Sequence, residues 1–396
     1  MLRHLARLTA LGLATLGSLA AASANQPAAP APASGEPILV GHYGSLTGSE
    51  ATFGKSTSQG IRLALKEFNA AGGLKGRPVA LREYDTKGES REAGTAVTRL
   101  VTNDKVVAVL GEVASSLTLA GGRVAQQYGV PNITPSSTNP QVTAIGNMIS
   151  RVCFIDPFQG FVGAKFAYEN KNARKVAILF DQSAAYSKGL KDDFKRAFTK
   201  MGGTVTSDLA YTKGDPDFTA QLTAIRSAAP DIIYVPGYYT DVANIAIQAR
   251  RLGITAPLLG GDGWDSAELA KVAGDAIVGS FYSNHYSPDQ PDARVREFIS
   301  KYQKEFNGET PDGLAALGYD AANLLFDAMK RTKSLSGKDL AEAINSTKDF
   351  PGVTGNITID EQRNARKAAV MVEMRKNDKG EIAPAYVATI SPDEKK

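Results

Sequence analysis

Short apolar runs alternate with helix-periodic stretches along nearly the whole chain. Residues 37–44, PILVGHYG, form an unbroken run of strand length. In TSQGIRLALKEFNAAGG, which follows, Ile61, Ala64, Leu65 and Phe68 recur at i, i+3, i+4 and i+7, one face of a helix, and Gly72 and Gly73 end it. PVALREYD, VVAVLGE and VPNITP read as further strands, separated by the helical patterns SREAGTAVTRLVTND and SSLTLAGGRVAQQYG. After about residue 157 the pattern restarts. KVAILFD is a strand, and SKGLKDDFKRAFTKMGG places Leu190, Phe194, Ala197, Phe198 and Met201 on one helical face. TVTSDLAY, DIIYVPG, PLLGGDG and IVGSFYS continue the strands, with helices in FTAQLTAIRSAAP and TDVANIAIQARRLG. Two more helices, ARVREFISKYQKEFNG and GLAALGYDAANLLFDAMKRT, follow residue 287. Such alternation predicts an α/β fold with open parallel sheets covered on both faces, and the restart predicts two similar lobes.

The first residues break this pattern. Arg3 and Arg7 precede a short apolar core at 8–19, and Ala22-Ser23-Ala24 supplies a small-x-small site, so residues 1–24 read as a secretory signal cut before Asn25. The rival, a membrane-anchoring helix, needs a longer apolar stretch. Residues 25–36 are a Pro/Ala linker. No later apolar run reaches about 18 residues, so the exported chain is expected to be soluble in the periplasm. Its 396 residues, 43% of them hydrophobic, suffice for two cores. With 45 basic and 41 acidic residues there is no polycationic face for nucleic acid. The single cysteine, Cys153, rules out an internal disulfide.

Catalytic chemistry finds little to work with. The histidines, His4, His42 and His285, lack metal-ligand spacing to one another or to Cys153, and a lone His is more often structural. There is no nucleophile elbow, no phosphate-cradling Walker loop and no dinucleotide fingerprint, so neither an enzyme nor a cofactor is expected. The ends of the strands are richer. In a doubly wound sheet ligands bind beyond the carboxyl edge of the strands. There the chain offers Phe53, expected exposed on a loop, then Ser115, Ser136 and Thr138, then Tyr186, Tyr238 and Asp262. Hydroxyls and N–H groups at a helix start hold a carboxylate, a side-chain carboxylate holds an ammonium, and aromatics exclude water, so the set suits a small zwitterion. Each residue also has a plainer reading: Ser115 as a helix cap, PSSTNP and GGDGWD as turns, the tyrosines as core.

Taken in order, GSLTGSEATFG, GIRLALKEFNAAGGLKGRPVALREYD, GEVASSLTLA, ITPSSTNPQVT, ILFDQSAAYSKGL, DIIYVPGYYTDVANIAIQARRLG and LGGDGWDS resemble the leucine/isoleucine/valine-binding protein family. These are the periplasmic substrate-binding components of branched-chain amino acid ABC transporters. The resemblance implies a type I periplasmic binding protein fold: two doubly wound parallel-sheet lobes joined by three crossing strands, here near 155–160, 283–286 and 352–358. Lobe 1 would comprise 37–156 and 287–355, and lobe 2 would comprise 157–286 and 356–392. By the same resemblance Ser115, assisted by the Thr138 N–H, would hold the ligand carboxylate. The Ser136 carbonyl, the Thr138 hydroxyl and Asp262 would meet the ammonium, Tyr238 would lie near the head group, and Tyr186 and Phe53 would close over the ligand. Asp262 stands where the branched-chain binders carry Glu, Ser136 where they carry a small apolar residue, and Gly88 and Ala114 where they carry a disulfide. The expectation is a monomer that captures an α-amino acid, branched-chain or similar, and delivers it to a membrane ABC permease. The alternative is a ligand-sensing lobe for amides, urea or aromatic acids that partners a receptor or regulator.

Overall fold

A computed structural model describes residues 33–392. The expected signal segment and most of the Pro/Ala linker lie outside them. Two sheets carry the architecture. The first contains β1 (Ile38–Gly44), β2 (Val79–Asp85), β3 (Val109–Leu110), β4 (Asn132–Thr134) and β5 (Ile149–Arg151), in the order β2-β1-β3-β4-β5 and all parallel. The second uses β6 (Lys175–Asp181), β7 (Thr204–Tyr211), β8 (Ile232–Tyr234), β9 (Leu258–Gly260) and β10 (Phe281–Asn284), also parallel to one another. A small antiparallel sheet, β11 (Phe350–Gly352), β12 (Gly355–Ile359) and β13 (Ala365–Arg366), stands apart. The chain then adds β14 (Ala369–Lys376) and β15 (Ile382–Ile390) antiparallel to the β10 edge, giving the order β15-β14-β10-β9-β8-β6-β7. The strand order reverses direction between β1 and β3 and between β6 and β8; Phe53, Ser115, Tyr186 and Tyr238 follow those strands, and Ser136, Thr138 and Asp262 follow the next ones, β4 and β9.

The helices are α1 (Ala51–Ala70), α2 (Ser90–Thr102), α3 (Ser115–Tyr128), α4 (Gln141–Ala144), α5 (Asp156–Lys165), α6 (Ala185–Lys200), α7 (Thr219–Ala228), α8 (Tyr239–Arg251), α9 (Ala267–Ala273), α10 (Ala293–Glu305), α11 (Gly313–Arg331) and α12 (Gly337–Asn345). Two expectations need correction. Phe53 does not sit on an exposed loop: α1 starts at Ala51, and Phe53 is 1% exposed in its first turn. Residues 156–160 are helical, the start of α5, and the extended stretch lies just before them, with Ile155 in a β conformation. The strands β5, β14 and β15 were not among those the apolar pattern marked.

Packing ties α11, late in the chain, to α1 near its start. Phe68 and Phe326 stack at 4.4 Å between ring centroids. The helices approach closely because each presents a glycine. A Cβ on Gly60 would lie 2.0 Å from the Ala315 carbonyl oxygen, and one on Gly318 would lie 2.5 Å from that of Thr57. In the second sheet's core, Phe194 stacks on Tyr234 at 3.7 Å and on Phe198 at 5.6 Å. Each core holds the strand ends of its own sheet rigid.

Gly60→Ala tests the close approach. Alanine is the better helix former by about 1 kcal/mol, but the added methyl must force the helices apart, which typically costs about 1–3 kcal/mol. The expected outcome is a lower urea midpoint; an unchanged or raised midpoint refutes the tight crossing.

Candidate functional site

The loop after β4 is built as a rigid shelf. Ser137 anchors it: its hydroxyl donates to the carbonyls of Glu112 at 3.0 Å and Val113 at 2.8 Å, and its N–H donates to the Thr134 hydroxyl at 3.0 Å. From beneath, the fully buried Arg151 guanidinium donates to the carbonyls of Ser137 and of Asn139, the latter at 2.8 Å. With Ser137 thus occupied, Ser136 is the residue of this loop that reaches Asp262, while the buried Thr138 hydroxyl lies near the Asp156 carboxyl with no close hydrogen-bond partner. Ser115, the first residue of α3, accepts the Asn139 N–H at 3.3 Å, which brings the start of that helix beside the shelf.

Asp262 faces this shelf from the loop after β9. Its carboxylate takes donors from four stretches of chain. Gln159 donates to Oδ1 at 2.8 Å and Tyr186 to the same oxygen at 3.0 Å; Ser136 lies 3.2 Å and His285 Nε2 3.1 Å from Oδ2. Burial alone would raise the Asp262 carboxyl, but His285, Gln159 and Tyr186 outweigh it and hold it below its ordinary value. The His285 ring stacks on Phe154 at 3.7 Å, and its burial lowers its own basicity against the pull of Asp262. The neutral imidazole therefore donates through Nε2 and keeps a bare, unpartnered Nδ1.

A second carboxylate lies within reach. Asp156, at the start of α5, is fully buried with neither oxygen hydrogen-bonded. Burial pushes it up to about 8; the nearby Thr138 hydroxyl opposes that rise, the Asp262 charge adds to it, and the Arg151 charge opposes it too. Burial and neighbours thus split the pair, favouring an ionised Asp262 beside a protonated Asp156 at neutral pH.

Aromatic rings wall the site. Tyr186 and Tyr238 stack at 5.3 Å and 8°, and Phe53 meets the Tyr238 ring edge-on at 5.6 Å. The Tyr186 hydroxyl also accepts the Gly263 N–H at 3.2 Å, which fixes the ring. A narrow pocket of about 10 Å³ is lined by Phe53, Val113, Ser136, Tyr186, Tyr238, Asp262, Gly263 and Leu314. Five of the seven sequence-predicted residues thus line one pocket; Ser115 and Thr138 are not among its lining. Of the larger cavities, one of about 540 Å³ against β14 and β15 and another beside Phe154 contain none of the seven, and one beside Glu50 contains only Tyr238. The lobes are in contact around the pocket: Lys213 pairs with Glu50 at 2.6 Å, Thr240 donates to the Ser49 carbonyl at 2.6 Å, and Asn139 donates to that of Ala185 at 2.9 Å.

Sequence reasoning missed Asp156, Gln159 and His285. Asp156 and Gln159 follow the very short β5, which the apolar pattern did not mark. His285 was read as a lone structural histidine, because its partner Asp262 lies 23 residues away. The two meet because β9 and β10 are parallel neighbours, with Gly260 beside Tyr282.

Comparisons with known proteins agree with this geometry. The family model described as periplasmic binding protein matches residues 37–381. Leu/Ile/Val-binding protein homolog 2 of Brucella abortus is 30% identical over 349 residues, 87% of this chain and 92% of that protein. The crystal structure of the leucine-binding protein LivK from Thermotoga maritima superposes with a TM-score of 0.85 at 38% identity, covering 90% of this chain and 99% of the other. That of LivJ from Streptococcus pneumoniae, a branched-chain amino acid transporter substrate-binding protein in complex with isoleucine, gives 0.83 at 34% identity, covering 89% and 99%. Two parallel-sheet lobes closing on a polar-headed, aromatic-walled cleft, matched over nine-tenths of the chain, place it: this chain belongs to the periplasmic binding protein family and is of the branched-chain amino acid ABC transporter type.

Proposed function

We propose that this protein captures an α-amino acid, branched-chain or similar, between its two lobes in the periplasm and delivers it to a membrane ABC permease. The observation that carries the reading is a buried Asp262, its carboxyl held below its ordinary value, lining one aromatic-walled pocket with Ser136, Phe53, Tyr186 and Tyr238. An ammonium group suits Asp262, and its α-carboxylate suits the start of α3 at Ser115 with the Thr138 N–H. Val113, Leu314, Phe53 and the two tyrosines offer an apolar side chain its surface. Lobe 1 would comprise 37–156 with 287–355, lobe 2 would comprise 157–286 with 356–392, and cleavage would remove residues 1–24.

The mechanism is closure. Asp262 offers about four acceptor positions and all four are taken. An arriving ammonium must displace one donor. Ser136 is the most weakly held, at 3.2 Å, and the one that comes from the shelf of the opposite lobe. Displacing it frees the Ser136 hydroxyl and puts the ligand itself in the bridge between the lobes. A ligand that touches both lobes binds the closed form more tightly and shifts the population toward it.

Asp262→Ala should weaken amino acid binding by about 3–5 kcal/mol, because it leaves a buried ammonium unpaired. Calorimetric titration reads this directly, and undiminished affinity sinks the assigned role. Asp156→Asn tests the split pair. In the folded protein its carboxyl stands at about 8, against an ordinary 3.8. Between those values the unfolded chain loses a proton that the folded one keeps, so folding stability from this residue falls as pH rises through that window and levels off above it. The wild type should therefore lose more stability than Asp156→Asn between pH 5 and 8 in urea titrations. Equal slopes would remove the buried-proton assignment.

A further inference from the structure

Tyr238 lines two cavities. Its ring borders the head-group pocket, and the residue also lines a second space of about 190 Å³ in the same cleft. That second space is bounded by Glu50, Gly88, Asp181, Ser183 and Lys213, so both lobes contribute, and its walls are far more polar than those of the first. The Tyr238 hydroxyl is buried and has no partner. Burial raises this phenol well above its ordinary value, and the Glu50 charge adds to the rise. A ligand with its head at Asp262 and its tail carried past Tyr238 reaches the space that Glu50 lines.

The chemistry of the second space is specific. Glu50, 2% exposed, gives one oxygen to Lys213 at 2.6 Å and leaves the other, Oε2, buried and unpartnered. Gly88 keeps room in front of it: a Cβ there would stand 3.5 Å from Glu50 Oε2 and 3.5 Å from the Lys213 ammonium. Asp181 is turned to its own loop, accepting from the Ser183 N–H at 2.8 Å and hydroxyl at 2.6 Å. The space thus offers an acceptor at Glu50 Oε2 and a donor at the Tyr238 hydroxyl. A cationic tail would compete with Lys213 for Glu50, and an anionic tail would face Glu50, Glu89 and Asp181. A purely aliphatic tail would strip water from two buried polar groups and return nothing, the situation that gives polar sites their discrimination. What fits is a neutral group that donates and accepts at once.

We propose that the second cavity is a tail subsite for a neutral carboxamide, with Glu50 and Tyr238 as its specificity-determining residues, so that the preferred ligands are amide-tailed α-amino acids. The inference rests on the amino acid reading of the head-group site and goes beyond it by selecting among side chains. It separates this chain from the leucine- and isoleucine-associated structures it superposes on.

Shape-matched pairs test it. Asparagine has the outline of leucine, and glutamine nearly that of methionine; all four are titrated calorimetrically into the exported chain. The amide member of each pair is expected to bind tighter by about tenfold, the worth of one net hydrogen bond to a charged group. In Tyr238→Phe and in Glu50→Ala, the amide-to-aliphatic affinity ratio within each variant should fall toward one. Reading a ratio cancels any general loss of closure, including that from breaking the Lys213 pair, and the milder Tyr238→Phe covers the case in which Glu50→Ala does not fold. Aliphatic members that bind as well as or better than the amides, or ratios unmoved in the variants, overturn the tail subsite and leave the amino acid reading standing. Binding of none of the four overturns both.

Discussion

A carboxylate buried between two lobes is tolerable only when donors reach it from several directions, and the placement of Asp262 sets the terms for everything around it. Its donors come from the loop after β4, from α5, from α6 and from the end of β10. Three of these belong with its own side of the cleft and hold the group ionised in place. The fourth, Ser136, crosses the seam and is the exchangeable one.

The opposite wall is stiff for a different reason. Arg151 places a buried positive charge under the 136–139 loop and spends its N–H groups on carbonyl oxygens of that loop. Ser137 ties the same loop to the turn before α3. Polar groups that would otherwise rotate are fixed where a ligand meets them. Asp156 completes the balance. Two carboxylates this close to one another do not both ionise in a buried site, and the better-solvated one by hydrogen bonds keeps the charge.

Much of this was legible beforehand because of where chemistry sits in an α/β fold. Ser115, Ser136, Thr138, Tyr186, Tyr238 and Asp262 each follow an apolar run, and parallel strands deliver their carboxyl ends to one edge. Phe53 was misplaced because SEATFG, with its Gly, Ser and Thr, carries no helical signal; packing against α11 and the tyrosines draws it into α1 and out of solvent. β5 escaped notice because three residues make no periodicity, and with it went Asp156 and Gln159. β14 and β15 mix apolar with charged residues, and nothing local announces that they pair antiparallel on an otherwise parallel sheet.

The sequence by itself determined the alternation of strands and helices, and therefore the α/β class, the two lobes and the edge at which polar residues gather, because those follow from periodicities of two and 3.6 along the chain. Which polar residues touch was decided only by tertiary structure. The adjacency of β9 and β10 turned a lone histidine into a partner of Asp262, and the contact between lobes brought Ser136 to the same carboxylate from 126 positions away. The split between Asp262 and Asp156 likewise comes from burial and neighbours, which depend on strand order and lobe contact rather than on anything local to either residue.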